Sequence, residues 1–119
     1  MERRETERHL ISYYFQVKDA TSHEVLGSLV NISKRGLMID SAKPQPLDKN
    51  LRIRMDTTPE IADTLNIEFT ARVRWCHQDP TSPGIYDIGL EFVKISAPAI
   101  HAIERLAEIY GTPTTSFDS

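Results

Sequence analysis

The chain has 119 residues, of which 39% are hydrophobic and 26% charged, and 14 Lys and Arg against 17 Asp and Glu give a net charge of −3. That length supports one domain with a real core, and the mild acidic excess excludes a general nucleic-acid binder or a membrane-surface protein, both of which carry a broad basic excess. A single cysteine excludes an intrachain disulfide and a Cys-rich metal site and fits a reducing cytoplasm; no apolar run reaches the roughly 18 residues of a membrane span, and the charged N-terminus lacks the apolar stretch of a secretory signal.

Residues 1–9, MERRETERH, hold three Arg and three Glu with no apolar residue after Met1. They cannot form core, and residues 1–10 read as a flexible arm. From Ile11 onward the pattern is that of strands. Tyr13–Lys18 is aromatic and β-branched, Leu26–Ile32 is apolar, and Gly36 precedes Leu37, Met38 and Ile39. Leu51, Ile53 and Met55 alternate with arginines; Phe69, Ala71, Val73 and Trp75 alternate with Thr70, Arg72 and Arg74; Ile88, Leu90 and Phe92 alternate with Gly89 and Glu91. Breaks fall at Lys43–Pro46, Thr57–Pro59 and Asp79–Gly84. Short strands at this spacing predict an all-β closed antiparallel barrel. Pro59–Leu65 reads equally as a loop or a helical turn. Ser96 is placed to cap a helix with Pro98 in its first turn, Ile100, Ile103, Leu106, Ala107 and Tyr110 follow helical spacing, and Gly111 closes it. This division gives an arm (1–10), a barrel with its helix (11–111) and a polar tail (112–119) expected to be disordered.

No nucleophile elbow, zinc-protease motif or phosphate loop is present, so the reading is not an enzyme. Cys76-His77 reads as a strand residue followed by a surface histidine, because a catalytic pair needs an orienting third group. His9, His23, His77 and His101 lack metal-ligand spacing, so neither a metal nor a cofactor is expected. Asn31-Ile32-Ser33 matches a glycosylation signal without the secretory context it requires. Arg52, Arg54, Arg72 and Arg74 read as solvated strand faces paired with carboxylates, the alternative being a basic stripe for an anion. Trp75, ending an alternating apolar series, reads as core.

Two pieces remain. In Arg4-Glu5-Thr6-Glu7-Arg8 the two arginines point the same way whether the segment is extended or helical, and can present two planar forks to one anion. In Asn31-Ile32-Ser33-Lys34-Arg35-Gly36, Asn31 and Ser33 share a strand face, while Gly36 permits positive φ or a close backbone approach.

In this order the two pieces resemble the PilZ domain, the bacterial receptor module for cyclic di-GMP. Its pattern is R-x-x-x-R followed, after about a strand, by [D/N]-x-S-x-x-G. Arg4 and Arg8, then Asn31, Ser33 and Gly36, match it, and Val73-Arg74-Trp75 with Ile88–Phe92 and a C-terminal helix are similar to the family's later elements. The resemblance covers residues 3 to about 110. It implies a six-stranded antiparallel barrel with one C-terminal helix, no catalysis, and cyclic di-GMP as ligand. Arg4 and Arg8 would contact phosphate and guanine, Asn31 and Ser33 would take polar edges, and Gly36 would leave the backbone open, with Glu5 and Glu7 pointing away. Arg3, directly before the first motif, is expected to bring a second nucleotide, giving two per chain. A ligand bridging a mobile arm and a rigid barrel would change shape and charge for an effector protein to read, in processes such as motility or biofilm formation. The chain would thus be a stand-alone cytoplasmic adaptor; the alternative is a PilZ-like interaction module for motility or secretion machinery that works without nucleotide.

Overall fold

In a computed structural model, the backbone of residues 5–117 and the side chains of residues 8–113 are described. Strands β1 (Glu5–Ile11), β2 (Gln16–Asp19), β3 (Val25–Ser33), β4 (Gly36–Ser41), β5 (Asn50–Asp56), β6 (Asn66–Gln78) and β7 (Tyr86–Lys94) precede helix α1 (Ala97–Tyr110) and strand β8 (Gly111–Phe117). Six strands pair in the order β2-β5-β6-β7-β4-β3, and β3 returns to β2, closing an antiparallel barrel. Closure removes the exposed strand edges that an open sheet of this size would leave.

Alternation builds the interior. Val17, Ile39, Ile53, Phe69, Val73 and Ile88 are sealed from solvent, while the intervening residues on β5 and β6 face outward. Three arginines of the stripe pair with carboxylates as expected of solvated faces, Arg52 3.4 Å from Glu68, Arg54 3.7 Å from Asp56 and Arg74 3.8 Å from Glu91, whereas Arg72 donates to the neutral Asn50 at 3.1 Å. Ser96 caps α1, its Oγ accepting from Ala99 N at 3.3 Å, with Pro98 in the first turn. Ala99, Ala102, Ile103, Leu106 and Ala107 join the barrel core. The Pro59–Leu65 segment holds a turn fixed by Ile61 N–H and Ala62 N–H donating to Thr58 O; Ile61 is buried, and Tyr110 OH donates to Glu60 at 2.7 Å. No helix among the described residues is long and apolar enough to cross a membrane.

The ends of the chain differ from the sequence expectation. The stretch 112–119, expected to be a disordered tail, forms β8 through Phe117, and the 1–10 arm is strand from Glu5. Neither has the apolar pattern of a core strand. Both satisfy their backbone groups by pairing outside the barrel ring, which requires no buried side chains. β1 runs beside the second half of β3, with Arg8 opposite Ser33 and Leu10 opposite Asn31, where β2 no longer covers that edge. β8 pairs with the other edge of β1 over seven residue pairs, from Glu5–Phe117 to Ile11–Gly111.

Candidate functional site

Two β-bulges shape the outer face where β1, β3, β4, β6 and β7 meet. In β3 the register against β4 slips between Leu29 and Asn31, leaving Val30 as the extra residue. Strict alternation from buried Leu29 would send Asn31 inward. The slip sends Ile32 inward instead, where it is buried, and turns Asn31 and Ser33 outward. In β6 the register against β7 slips between Val73 and Trp75, with Arg74 as the extra residue. Val73 is the last interior residue of that series, and Trp75 emerges on the outer face opposite Gly89.

The expectation that Trp75 is core is therefore corrected: the bulge reverses the parity of everything after Val73. Its indole lies on Gly89, where a Cβ would overlap Cε2, Nε1 and Cζ2 of the ring, and it stacks on His77 at 4.9 Å with planes 12° apart. Cys76 packs toward the core opposite buried Ile88 while His77 is exposed, so the adjacent pair faces opposite sides of the sheet and forms no nucleophile–base couple.

The β3–β4 turn is held from two sides. Arg35 N–H donates to Ser33 Oγ at 3.2 Å, and Phe92 N–H donates to Arg35 O at 2.8 Å, tying the turn to β7. Gly36 sits opposite Glu91, and a Cβ there would overlap the Leu90 carbonyl oxygen. Its φ is not in the left-handed region. Glycine is needed at this position for close approach of β4 to β7, not for an unusual backbone angle. Asn31 is half-buried, its Nδ2 donating to Met38 Sδ at 3.5 Å.

Arg8, Asn31, Ser33 and Gly36 line one hollow of about 260 Å³, together with Arg35, Arg74, Trp75 and Glu91. The β1–β3 pairing thus brings an arginine from one end of the chain onto the face that carries the second motif. Arg3 and Arg4 lie outside the described residues. Arg74 and Trp75 were not among the expected site residues, because an unbroken apolar–polar alternation through Trp75 gives no sign of a bulge. Chemically, the hollow combines arginines, one of them paired with the Glu91 carboxylate, with an amide, a hydroxyl and an aromatic surface, a set suited to an anionic ligand with a planar base. Beyond the turn, a larger groove of about 1,020 Å³ runs between α1 and the barrel over Ile32, Phe92, Ile95, Ile100 and Ile103.

The family model of the PilZ domain matches residues 2–108. No curated protein matches the chain. Among solved structures it is similar to the Bacillus subtilis inhibitor of motility (MotI/DgrA), with a TM-score of 0.68 and 24% identity over 91% of this chain and 50% of that one. The chain spans half the length of that protein, and the likeness shows a shared fold.

Proposed function

Because this chain belongs to the PilZ domain family, we propose that it is a cytoplasmic receptor for cyclic di-GMP that acts as an adaptor toward a protein partner. The observation that carries this reading is the convergence of Arg8 with Asn31, Ser33 and Gly36 on one hollow beside Trp75. Guanine presents O6 and N7 side by side, and an arginine fork meets both, as it also meets two phosphate oxygens. Asn31 and Ser33, fixed on the barrel wall, give a base edge or phosphate its neutral hydrogen bonds. The Ser33 hydroxyl, which already accepts from Arg35 N–H, has its proton left to donate.

The hollow is smaller than the roughly 300–1,000 Å³ of most small-molecule sites, so a dinucleotide would extend over its rim toward the N-terminal arginines. Arg4 would complete the first motif and Arg3 would engage a second nucleotide, giving two per chain. Binding would then clamp the Arg8-bearing strand, which already pairs with β3, more firmly to the barrel and present a new charged surface. Calorimetric titration with cyclic di-GMP tests this: wild type binds, and Arg8→Ala weakens binding by about 2 kcal/mol or more, the usual cost of leaving a buried charge unmatched. Unchanged titration curves for the variant refute the assignment. Amide exchange over Glu5–Leu10 with and without nucleotide checks the fastening, with greater protection expected in the complex.

A second reading, a protein-interaction module working without nucleotide, is favoured by the apolar groove beside α1, where Ile100 is exposed. The two readings separate in the same titration, since this one expects no heat from cyclic di-GMP.

A further inference from the structure

Three carboxylates converge away from the hollow, at the opposite end of β4 and β7. Asp40 on β4 and Asp87 on β7 are direct partners across the ladder, and Asp79 begins the turn that joins β6 to β7. One carboxylate oxygen from each lies within 4.8 Å of the other two. Asp87 is 7% exposed, and its Oδ1 is closed off from solvent and meets no hydrogen-bond donor among the described residues. The ion pairs of Lys18, Lys43, Arg52, Arg54, Arg74 and Arg105 all go to other carboxylates. His77 stands across the β6–β7 ladder from Asp87, but its ring is stacked on Trp75.

Such a group is electrostatically unbalanced. Three like charges repel at this spacing, and the enclosed Asp87 Oδ1 has lost its hydration without a donor to replace it. We propose that Asp40, Asp79 and Asp87 form a binding site for a calcium ion. A calcium shell at 2.3–2.6 Å places oxygens on opposite sides of the ion about 5 Å apart, so three oxygens within 4.8 Å of one another fit around a single ion. An all-carboxylate set, with neither nitrogen nor sulfur, suits a hard cation rather than zinc or copper. Magnesium usually takes one or two carboxylates and keeps most of its waters, which fits this cluster less well.

The site is built on rigid parts. Asp40 and Asp87 sit on paired strands, and Asp79 is oriented by Thr81, whose N–H and Oγ1–H donate to its Oδ1 at 2.8 and 2.9 Å. The Asp40–Asp87 pair lies four residues along the ladder from Gly36–Glu91, roughly 13 Å at strand spacing. The ion would therefore sit apart from the nucleotide hollow, and this assignment does not depend on the proposed ligand.

The test is calcium chloride added to the full chain after treatment with chelator, at constant ionic strength, read in two ways. Thermal melting should rise by about 6 °C at calcium ten times the dissociation constant, as expected for a domain of this size. Terbium, a luminescent stand-in for calcium, should give emission when Trp75, the single tryptophan, is excited, since Trp75 packs on His77 beside the cluster. Asp87→Asn and Asp40→Asn should each weaken terbium binding at least tenfold, while Asp63→Asn, at an exposed position elsewhere, leaves it unchanged. Circular dichroism of the variants shows that they fold. A wild-type protein with no melting shift and no sensitised emission overturns the proposal. So does equal binding by wild type and Asp87→Asn, and an equal response to magnesium overturns the choice of calcium.

Discussion

Replacing Gly36 and Gly89 separately by alanine probes the site from both of its walls. At Gly36 the added methyl meets the Leu90 carbonyl oxygen, part of the neighbouring strand's backbone. It cannot rotate away, so β4 and β7 must separate locally. Overpacking of this kind costs about 1–3 kcal/mol. The Phe92–Arg35 backbone hydrogen bond beside it weakens as well, at about 1 kcal/mol. A total near 3 kcal/mol follows. With an unfolding entropy of about 2.1 cal/mol/K per residue, a chain of 119 residues loses about 12 °C in Tm. At Gly89 the nearest atoms to the methyl all belong to the Trp75 indole, a side chain that can swing outward. Gly89→Ala should therefore cost about 1.5 kcal/mol or less, about 6 °C, but it should displace the indole from the hollow and shift the single-tryptophan emission of the folded protein to the red. Urea unfolding followed by circular dichroism, with native-state fluorescence alongside, separates the two. The reasoning fails if Gly36→Ala unfolds within 0.5 kcal/mol of wild type at unchanged m-value, or if Gly89→Ala is the more damaging substitution.

Asp19 accepts hydrogen bonds from Ser22 N–H and Thr21 N–H at 2.9 and 2.8 Å, which hold its carboxyl below the usual carboxylate range. A lowered folded value means stability that is present above the unfolded value, about pH 4, and lost as pH falls through the folded one. Asp19→Ala should thus cost about 1 kcal/mol at pH 7, allowing for its partial exposure, with a gap that narrows below about pH 4 in urea unfolding across that range. Ser33→Ala should lower cyclic di-GMP affinity by about 0.5–1.5 kcal/mol, the scale of one neutral hydrogen bond, and should also lower the melting temperature by a few degrees, because the β3–β4 turn loses the bond from Arg35 N–H to Ser33 Oγ. Asn31→Asp should retain binding, because the family pattern accepts either residue; complete loss of affinity in calorimetry would contradict the role given to this position. Titration of wild type should saturate at two nucleotides per chain and shift toward one in Arg3→Leu, and saturation of wild type at one would remove the role given to Arg3.

The barrel was legible because its strands obey a period of two and their turns carry Pro and Gly at the breaks. The helix was legible from Ser96, Pro98 and the spacing of Ile103, Leu106 and Ala107. The two bulges were not. A bulge changes parity without changing composition, so Trp75 reads as the next member of the Phe69–Val73 series although its ring lies outside. β8 was also hidden, since Thr112–Phe117 pairs through its backbone and carries no apolar alternation to announce a strand. The motif residues Arg8, Asn31, Ser33 and Gly36 could be named from their order, but their shared hollow depends on β1 lying against β3, which no local pattern encodes. The role foreseen for Gly36 rested partly on positive φ; the need is the nearness of Leu90, a contact made 54 positions away in the chain.

The strand that carries Arg8 is bonded unequally on its two sides. It shares three residue pairs with β3 of the barrel but seven with β8, and β8 continues without a break from the end of α1, at the point where Ile11 meets Gly111. Arg8 therefore rides on a two-stranded lever whose fulcrum is the end of the helix. The ribbon joins the last turn of α1, where Tyr110 packs edge-on against Tyr13 and Phe15, so the helix end as well as the barrel sets where Arg8 lies.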